Sequence, residues 1–560
     1  MRVLGLSGHF HDAAAALVVD GRMVAAAQEE RFSRRKHDAS MPVRSAAFCL
    51  RQGGMVAADL DAIVWHEKPL LKFERILQTS LRTWPAGLRA FRRAMISMVG
   101  DKLWVKDHLA KEFGVPESKI LFSGHHTSHA ASAFYCSPFS EAAVLCVDGV
   151  GEWATTSTWK ASRSGGLVPM EEIHFPHSLG LLYSVFTAFL GFEVNDGECK
   201  IMGLAGYGKP RFMEELRKVV KVGSDGAFEL VMDHFCFHVH PDRSWNPSFE
   251  AIFGAPRAVG APMEDRHRDL AATIQLFTEE QMLGLARRIH ASTGAKHLCL
   301  AGGVALNAVA VGRIEREGPF EKVFVQPAAG DAGAALGGAL FVGGGEHAAM
   351  TGSGWGEGID VDAARSFFTD GGVQFTELDE DKLVEAVAGR LDAGEVVGWM
   401  QGRFEWGPRA LGHRSILADG RLPDVRERLN TRVKFREPFR PFAPSVLPED
   451  AASLFDLHPA GEFTRPFMTT VVPAKDDRVP SAVHVDHTAR IQVVDPAAEP
   501  LYTKLLLKFK ERSGLGCVVN TSFNLAGEPI VNTPADGWAT FARCGMDALA
   551  VGPFLVTRSA

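Results

Sequence analysis

His125 and His129, in GHHTSHAASAF, stand four positions apart. On a helix that spacing puts both imidazoles on one face, as in other i, i+4 metal pairs. Asp148 closes the apolar run AVLCVDGVG and would project beyond the carboxyl edge of a sheet, where ligands gather in α/β folds. Asp331, in QPAAGDAGAALGGAL, sits where a Gly-rich turn enters a helix. Two imidazoles and two carboxylates form an N/O donor set suited to Fe(II), Mn(II) or Zn(II), with positions open for substrate. Each carboxylate also has a plainer use, Asp331 as a helix cap and Asp148 as a turn residue. His11, in a loop beside Asp12, has the makings of a general base and equally of a capped loop histidine.

A second set of residues suits anions. Gly302, Gly303 and Asn307, in AGGVALNAVA after the strand-like HLCL, form a turn whose amides can approach a phosphate or ribose. GRFEWGPRALGHRSIL holds Arg409 and Arg414 among glycines, and VKFREPFRPFAPSVL holds Lys434 and Arg440 among prolines and aromatics. Guanidinium forks with a Lys point charge suit a triphosphate or an acyl phosphate. Arg490 follows in HTARIQVVD, and Asn520, Ser522 and Asn524 end an apolar run as neutral donors. Lys36, with Arg34 and Arg35 in SRRKH, reads as a solvated face or as phosphate contacts.

Elements must hold these groups in place. Strand-like runs alternate with helical stretches along 560 residues, the pattern of α/β architecture. RVLGLSGHFHDAAAALVVDGRMVAAAQEE reads as strand, loop, strand, Asp-Gly turn and strand, and AAVLCVDGVGEWATTSTWKA begins a similar round about 140 residues later. Two such openings suggest a duplicated fold. Residues 343–358 hold seven Gly in sixteen positions and mark a linker. The expected units are therefore 1–345 and 359–560, with 346–358 between. The window 403–440 carries ten basic and five acidic residues in a chain of net charge −7, which points to a focused anion site. That net charge argues against a nucleic-acid coat. Eight scattered Cys without a C-x-x-C pair exclude a disulfide framework and a thiolate zinc site. With no signal-peptide pattern and no apolar run near a membrane-span length, a cytoplasmic protein with no membrane partner is expected.

Taken together, HDAAAALVVDG, GECKIMGLAGYGKP, GPRALGHRSIL, VKFREPFRPFAPSVL, NTSFNLAGEPIV and MDALAVGPFLV resemble the NodU/CmcH family of O-carbamoyltransferases over nearly the whole chain. The resemblance implies an actin-like ATPase domain with a duplicated fold, followed by a YrdC-like α/β domain. It implies that the second domain makes carbamoyl-adenylate from carbamoyl phosphate and ATP with Mg²⁺. The first would then pass the carbamoyl group to a hydroxyl of a small-molecule natural product or sugar at an iron centre. By motif, His125, His129, Asp148 and Asp331 fall on the metal ligands and His11 on the base; Lys434, Arg409, Arg414, Arg440, Arg490 and Ser522 fall on the adenylation site. A homodimer is also implied. Val311 and His413 stand where the family pattern has Asn. The competing readings are a sugar kinase of the actin-like fold, threonylcarbamoyl transfer to tRNA, and a nucleotide-gated regulator.

Overall fold

The computed structural model describes residues 1–558 apart from 224, 346 and 347. Its first sheet starts from the hairpin expected at Asp20-Gly21. Both turn residues take positive φ, 49° and 73°, which matches the right-handed twist of the flanking strands Ala14–Val19 and Arg22–Gln28. Ala14–Val19 pairs antiparallel with Arg2–Ser7, Leu17 opposite Leu4. On the far side of Arg2–Ser7 lie the parallel strands Ala62–Trp65 and Ile120–Phe122.

The second sheet repeats this plan. Glu141–Val147 is central; Ala154–Ser162 and Gly166–His174 form its antiparallel arm, and His297–Ala301 and Lys322–Val325 its parallel arm. In each repeat a helix follows the last parallel strand, His125–Cys136 in the first and Asp331–Gly343 in the second. These helices pack closely between the sheets because small residues let them; a Cβ on Gly337 would strike the Ser128 carbonyl. The duplicated α/β arrangement is that of the actin-like fold. Its pseudo-symmetry gathers four equivalent chain positions at one point: the loops after the two central strands and the first turns of the two helices.

The C-terminal region forms a mixed sheet of eight strands. Its order is Thr376–Glu377, Phe554–Thr557, Ala548–Val551, Val397–Met400, Arg414–Ala418, Cys517–Ser522, Ala443–Val446 and Gln492–Val493. Leu383 and Leu391 of helix Glu380–Asp392 and Leu505 and Phe509 of helix Pro500–Ser513 join Trp399 in one buried cluster on this sheet.

Residues 348–358 of the expected linker are packed against both regions. Ala348, Met350 and Ser353 are buried. The Trp355 carbonyl accepts from the Ala26 amide at 3.1 Å and from Arg403 Nη2 at 2.6 Å. The glycines serve close approach: a Cβ on Gly356 would overlap the Phe404 ring. Residues 346 and 347 of the expected linker lie outside the described residues. The two regions also grip each other directly. Arg34 donates to the carbonyls of Ile530 (2.6 Å) and Pro529 (3.1 Å) and pairs with Asp536, so its guanidinium is engaged across the two regions. Buried Glu315 accepts from Thr464 (2.6 Å) and Thr470 (2.8 Å). The cysteines are free, and all but Cys199 are buried. No helix among the described residues is long and apolar enough to cross a membrane.

Candidate metal centre and cation cluster

The four residues with metal-ligand character converge. His125 and His129 occupy the first turns of their helix, Asp148 follows strand Glu141–Val147, and Asp331 is the first residue of the opposing helix. One donor atom from each lies within 4.8 Å of all the others. His125 Nε2 is 2.9 Å from Asp148 Oδ2 and 3.6 Å from Asp331 Oδ1; His129 Nε2 is 3.1 Å from His125 Nε2 and 3.4 Å from Asp331 Oδ1. All four are buried. Burial opposes ionisation of Asp148, yet His125 and His129 overcome it and hold the carboxyl well below its usual range. Burial likewise pulls the His129 imidazole down, and Asp148 and Asp331 more than reverse this, to about 10. Two anionic carboxylates facing two Nε2 atoms fit a borderline divalent cation.

The Gly-rich turn supports this centre and corrects the phosphate reading. The Gly303 amide donates to Asp148 Oδ1 at 2.9 Å, so that donor is already spent. Gly302 takes φ +88°, and a Cβ there would collide with the Val147 backbone. Asn307 caps helix Ala308–Glu317 through the Ala310 amide (3.2 Å) and exchanges hydrogen bonds with Gln275. These bonds fix the orientation of its side-chain amide.

His11 stands at the edge of the cage, its Nε2 3.7 Å from Asp331 Oδ2 and its Nδ1 3.0 Å from Asp12 Oδ2. Burial lowers the imidazole, but the nearby Asp331 and Asp12 carboxylates raise it to about 9. Beyond Asp12 the contacts continue through residues that motif reasoning missed. Asp12 Oδ1 meets His37 Nδ1 at 2.8 Å, and His37 Nε2 lies 3.4 Å from Asp196 Oδ1. Asp196 also pairs with Lys36 and, at 3.3 Å, with Lys200. The sequence signal for His37 was weak, a histidine at the end of a basic run.

Among the cations of the second set, Lys434 is 3% exposed and follows the π-helical turn Leu429–Val433. Its Nζ donates to the Ser522 carbonyl and to Asn524 Oδ1, each at 2.6 Å, and approaches Ser522 Oγ at 3.3 Å. Every one of these partners is neutral. Burial, reinforced by the like charges of Arg436, Arg440 and Lys36, pushes the Lys434 ammonium well below its ordinary value. Arg490 is depressed by burial and by Arg409, Arg436 and Arg440 in the same way, and its Nε has no partner. Among the described residues neither Arg409 nor Arg490 forms an ion pair, and the nearest carboxylate to Arg440 is Glu437 at 3.8 Å. Arg436, which the motifs did not single out, belongs to the cluster.

Two expected members do not. Arg414 is fully buried, and its guanidinium donates to the carbonyls of Gln401 (2.9 Å), His413 (3.1 Å), Gly402 (3.2 Å), Glu357 (3.2 Å) and Asn532 (3.3 Å). It staples loops to the sheet, and each of its three nitrogens is committed to at least one backbone carbonyl. Asn520 points into a buried network with the Ala410 carbonyl (3.2 Å), Ser445 (3.0 Å) and Gln492 (3.3 Å). Of the departures from the family pattern, Val311 is core and His413 contacts the Glu499 carboxylate at 2.9 Å.

Comparison with known proteins agrees with this two-part layout. Residues 2–340 match the family model "Carbamoyltransferase N-terminus" and residues 388–558 match "Carbamoyltransferase C-terminus". An uncharacterised protein of Synechocystis sp. is 44% identical over 100% of this chain and 97% of its own. Nodulation protein NolNO of Sinorhizobium fredii is 38% identical over 98% of this chain and 79% of its own. An uncharacterised protein of Methanocaldococcus jannaschii is 34% identical over 84% of this chain and 79% of its own. With both halves matched in order and a relative aligned end to end, the chain belongs to the carbamoyltransferase family and is an enzyme of that type.

Proposed function

We propose that the chain is an ATP-dependent O-carbamoyltransferase that runs two half-reactions at two sites. Support comes from one juxtaposition: a four-ligand cage with a histidine at its edge, and a carboxylate-poor cluster of cations around buried Lys434, reached through His37 and Asp196.

At the cation cluster, carbamoyl phosphate loses phosphate to water and leaves carbamate. A carbamate oxygen then attacks the α-phosphorus of Mg²⁺-bound ATP, and pyrophosphate departs. Carbamate is a poor electrophile, and joining it to AMP provides a good leaving group. Lys434, Arg409, Arg436, Arg440 and Arg490 oppose the charge that develops on the departing phosphates. Ser522 and Asn524 hold the Lys434 ammonium in place. At the cage, the acceptor hydroxyl gives its proton to His11 Nε2 while its oxygen bonds to the carbamoyl carbon and AMP leaves. His125, His129, Asp148 and Asp331 would hold iron(II), or manganese or zinc, which when bound supplies Lewis acidity to the carbamoyl carbonyl. A labile mixed anhydride moving between the sites favours an enclosed route. The acceptor is a small-molecule hydroxyl compound that meets the insertions at 65–115 and 210–265.

The test omits acceptor. Purified protein with ATP, Mg²⁺ and carbamoyl phosphate is expected to release pyrophosphate and yield carbamoyl-adenylate by mass spectrometry. Lys434→Ala should abolish both, and His125→Ala should retain them. Metal-loaded wild type that gives no adenylate would remove this reading and bring forward phosphorylation of a sugar.

A further inference from the structure

Asp12 and His37 are non-glycine residues in the left-handed region, at φ 50° and 53°, and their side chains meet. L-residues adopt that conformation at a cost, and it persists where surrounding bonds impose it. Here the His37 amide donates to Glu30 Oε2 at 2.9 Å, and the Ala13 amide donates to the Asp38 carbonyl at 2.8 Å, zipping the two loops together. His37 Nδ1 and Nε2 each face a carboxylate oxygen, on Asp12 and Asp196. Ionised carboxylates only accept, so both ring nitrogens must donate and the ring is an imidazolium. Burial opposes that charge, and the hydrogen-bonded Asp12 and Asp196 raise the ring to about 10. Asp12, with one oxygen fixed by His37, presents the other to His11 Nδ1 at 3.0 Å. A cation held in the cage would oppose the positive charge that Asp331 favours on His11, and the neutral ring then keeps Nδ1–H toward Asp12 with Nε2 open toward the cage. From Asp196 the contacts run through Lys200 to Glu437, 3.4 Å away in the C-terminal region and next to Arg440.

We propose that His37 is a positioning residue for carbamoyl transfer, clamping Asp12 so that Asp12 fixes the tautomer of His11, and anchoring that pair to the chain of ion pairs that reaches the cation cluster. The inference rests on the two-site reading above. In the step it serves, the acceptor O–H proton goes to His11 Nε2, the O–C bond forms and the carbamoyl C–O bond to AMP breaks. His37 exchanges no proton. Without it Asp12 can rotate, His11 can carry its proton on Nε2, and that nitrogen no longer accepts. The same arrangement leaves little room for a second cation among Asp12, Glu30 and His37, because His37 and Lys36 already supply positive charge there.

His37→Gln and His37→Ala would be compared with wild type as full-length, zinc-loaded protein, with water as the acceptor. Pyrophosphate release in the first turnover should stay within about twofold, while AMP release should fall about 10- to 100-fold, the usual cost of losing an outer-shell partner. Nitrogen-15 NMR of ring-labelled histidine, with His11→Gln used for assignment, should find the Nδ1–H tautomer of His11 in wild type and a tautomer mixture in His37→Gln. That arm needs no turnover, so it decides the role of His37 even if wild type makes no adenylate. An unchanged His11 tautomer in a folded His37→Gln would overturn the proposal. So would equal losses of pyrophosphate and AMP release, which a merely structural role would give.

Discussion

The cage and the cation cluster face each other through the Asp12–His37–Asp196 chain, yet they are built on opposite electrostatic plans. In the cage, His125, His129 and His11 stand against Asp148, Asp331 and Asp12, so opposite charges and imidazole protons satisfy each other before anything binds. In the cluster, burial and like charges depress Lys434, Arg409, Arg436 and Arg490, and neutral oxygens hold the lysine. The first plan suits a group that stays resident. The second stores unfavourable like-charge energy that a polyanion relieves on entry and that returns when it leaves. On the proposed reaction, nucleotide must enter and leave in every cycle, which calls for the second kind of site.

The contrast yields ordered predictions. His11→Ala should lower AMP release by about 10²- to 10⁴-fold with pyrophosphate release retained; a parallel loss of both would merge the two sites. Lys434→Ala should do the reverse, cutting pyrophosphate release by about 10²- to 10³-fold while metal content, read by elemental analysis, stays at the wild-type level. Arg414→Met should act on stability instead, costing about 3 kcal/mol in denaturant unfolding because five carbonyls lose a charged donor. Its folded fraction should still make adenylate.

Two smaller effects sharpen the difference. Pyrophosphate at a hundred times its dissociation constant should stabilise the protein by about 2.7 kcal/mol, read as a rise in Tm, and Arg409→Ala/Arg490→Ala should lose most of it. Chelation should leave that shift intact. The His37 clamp should show in the pH dependence of Tm. A histidine raised from 6.5 to about 10 contributes stability in full below 6.5 and loses it as the pH climbs through 10. Asp12 and Asp196, held below their ordinary 3.8, contribute in full above that value and lose it on acidification. The Tm gap between wild type and His37→Gln should therefore be widest between about pH 4 and 6.5 and close above about pH 10.

Much of the cage was legible because its signals are local. An i, i+4 histidine pair, an aspartate at a strand end and another at a helix start are each visible within a few residues. The duplicated openings at Arg2–Ser7 and Glu141–Val147 hinted at the symmetry that joins them. The cluster was legible as a local excess of basic residues, but its membership was not. Arg409 and Arg414 are five residues apart in one motif, and only the first keeps its guanidinium free of carbonyls. Composition likewise could not tell whether the Gly-rich stretch is slack or packed, and Gly356 is there because a Cβ would overlap Phe404.

By itself the sequence determined which residue types were present, the α/β alternation and the family motifs, since these rest on spacing along the chain. Tertiary structure decided which donors remain unspent and which distant residues become neighbours. Arg414 commits its guanidinium to five backbone carbonyls, Gly303 gives its amide to Asp148, and His37 bridges Asp12 to an aspartate 159 positions away. The physical reason is that a hydrogen-bonding group is defined by what surrounds it, and burial makes that surrounding binding while leaving no mark on spacing.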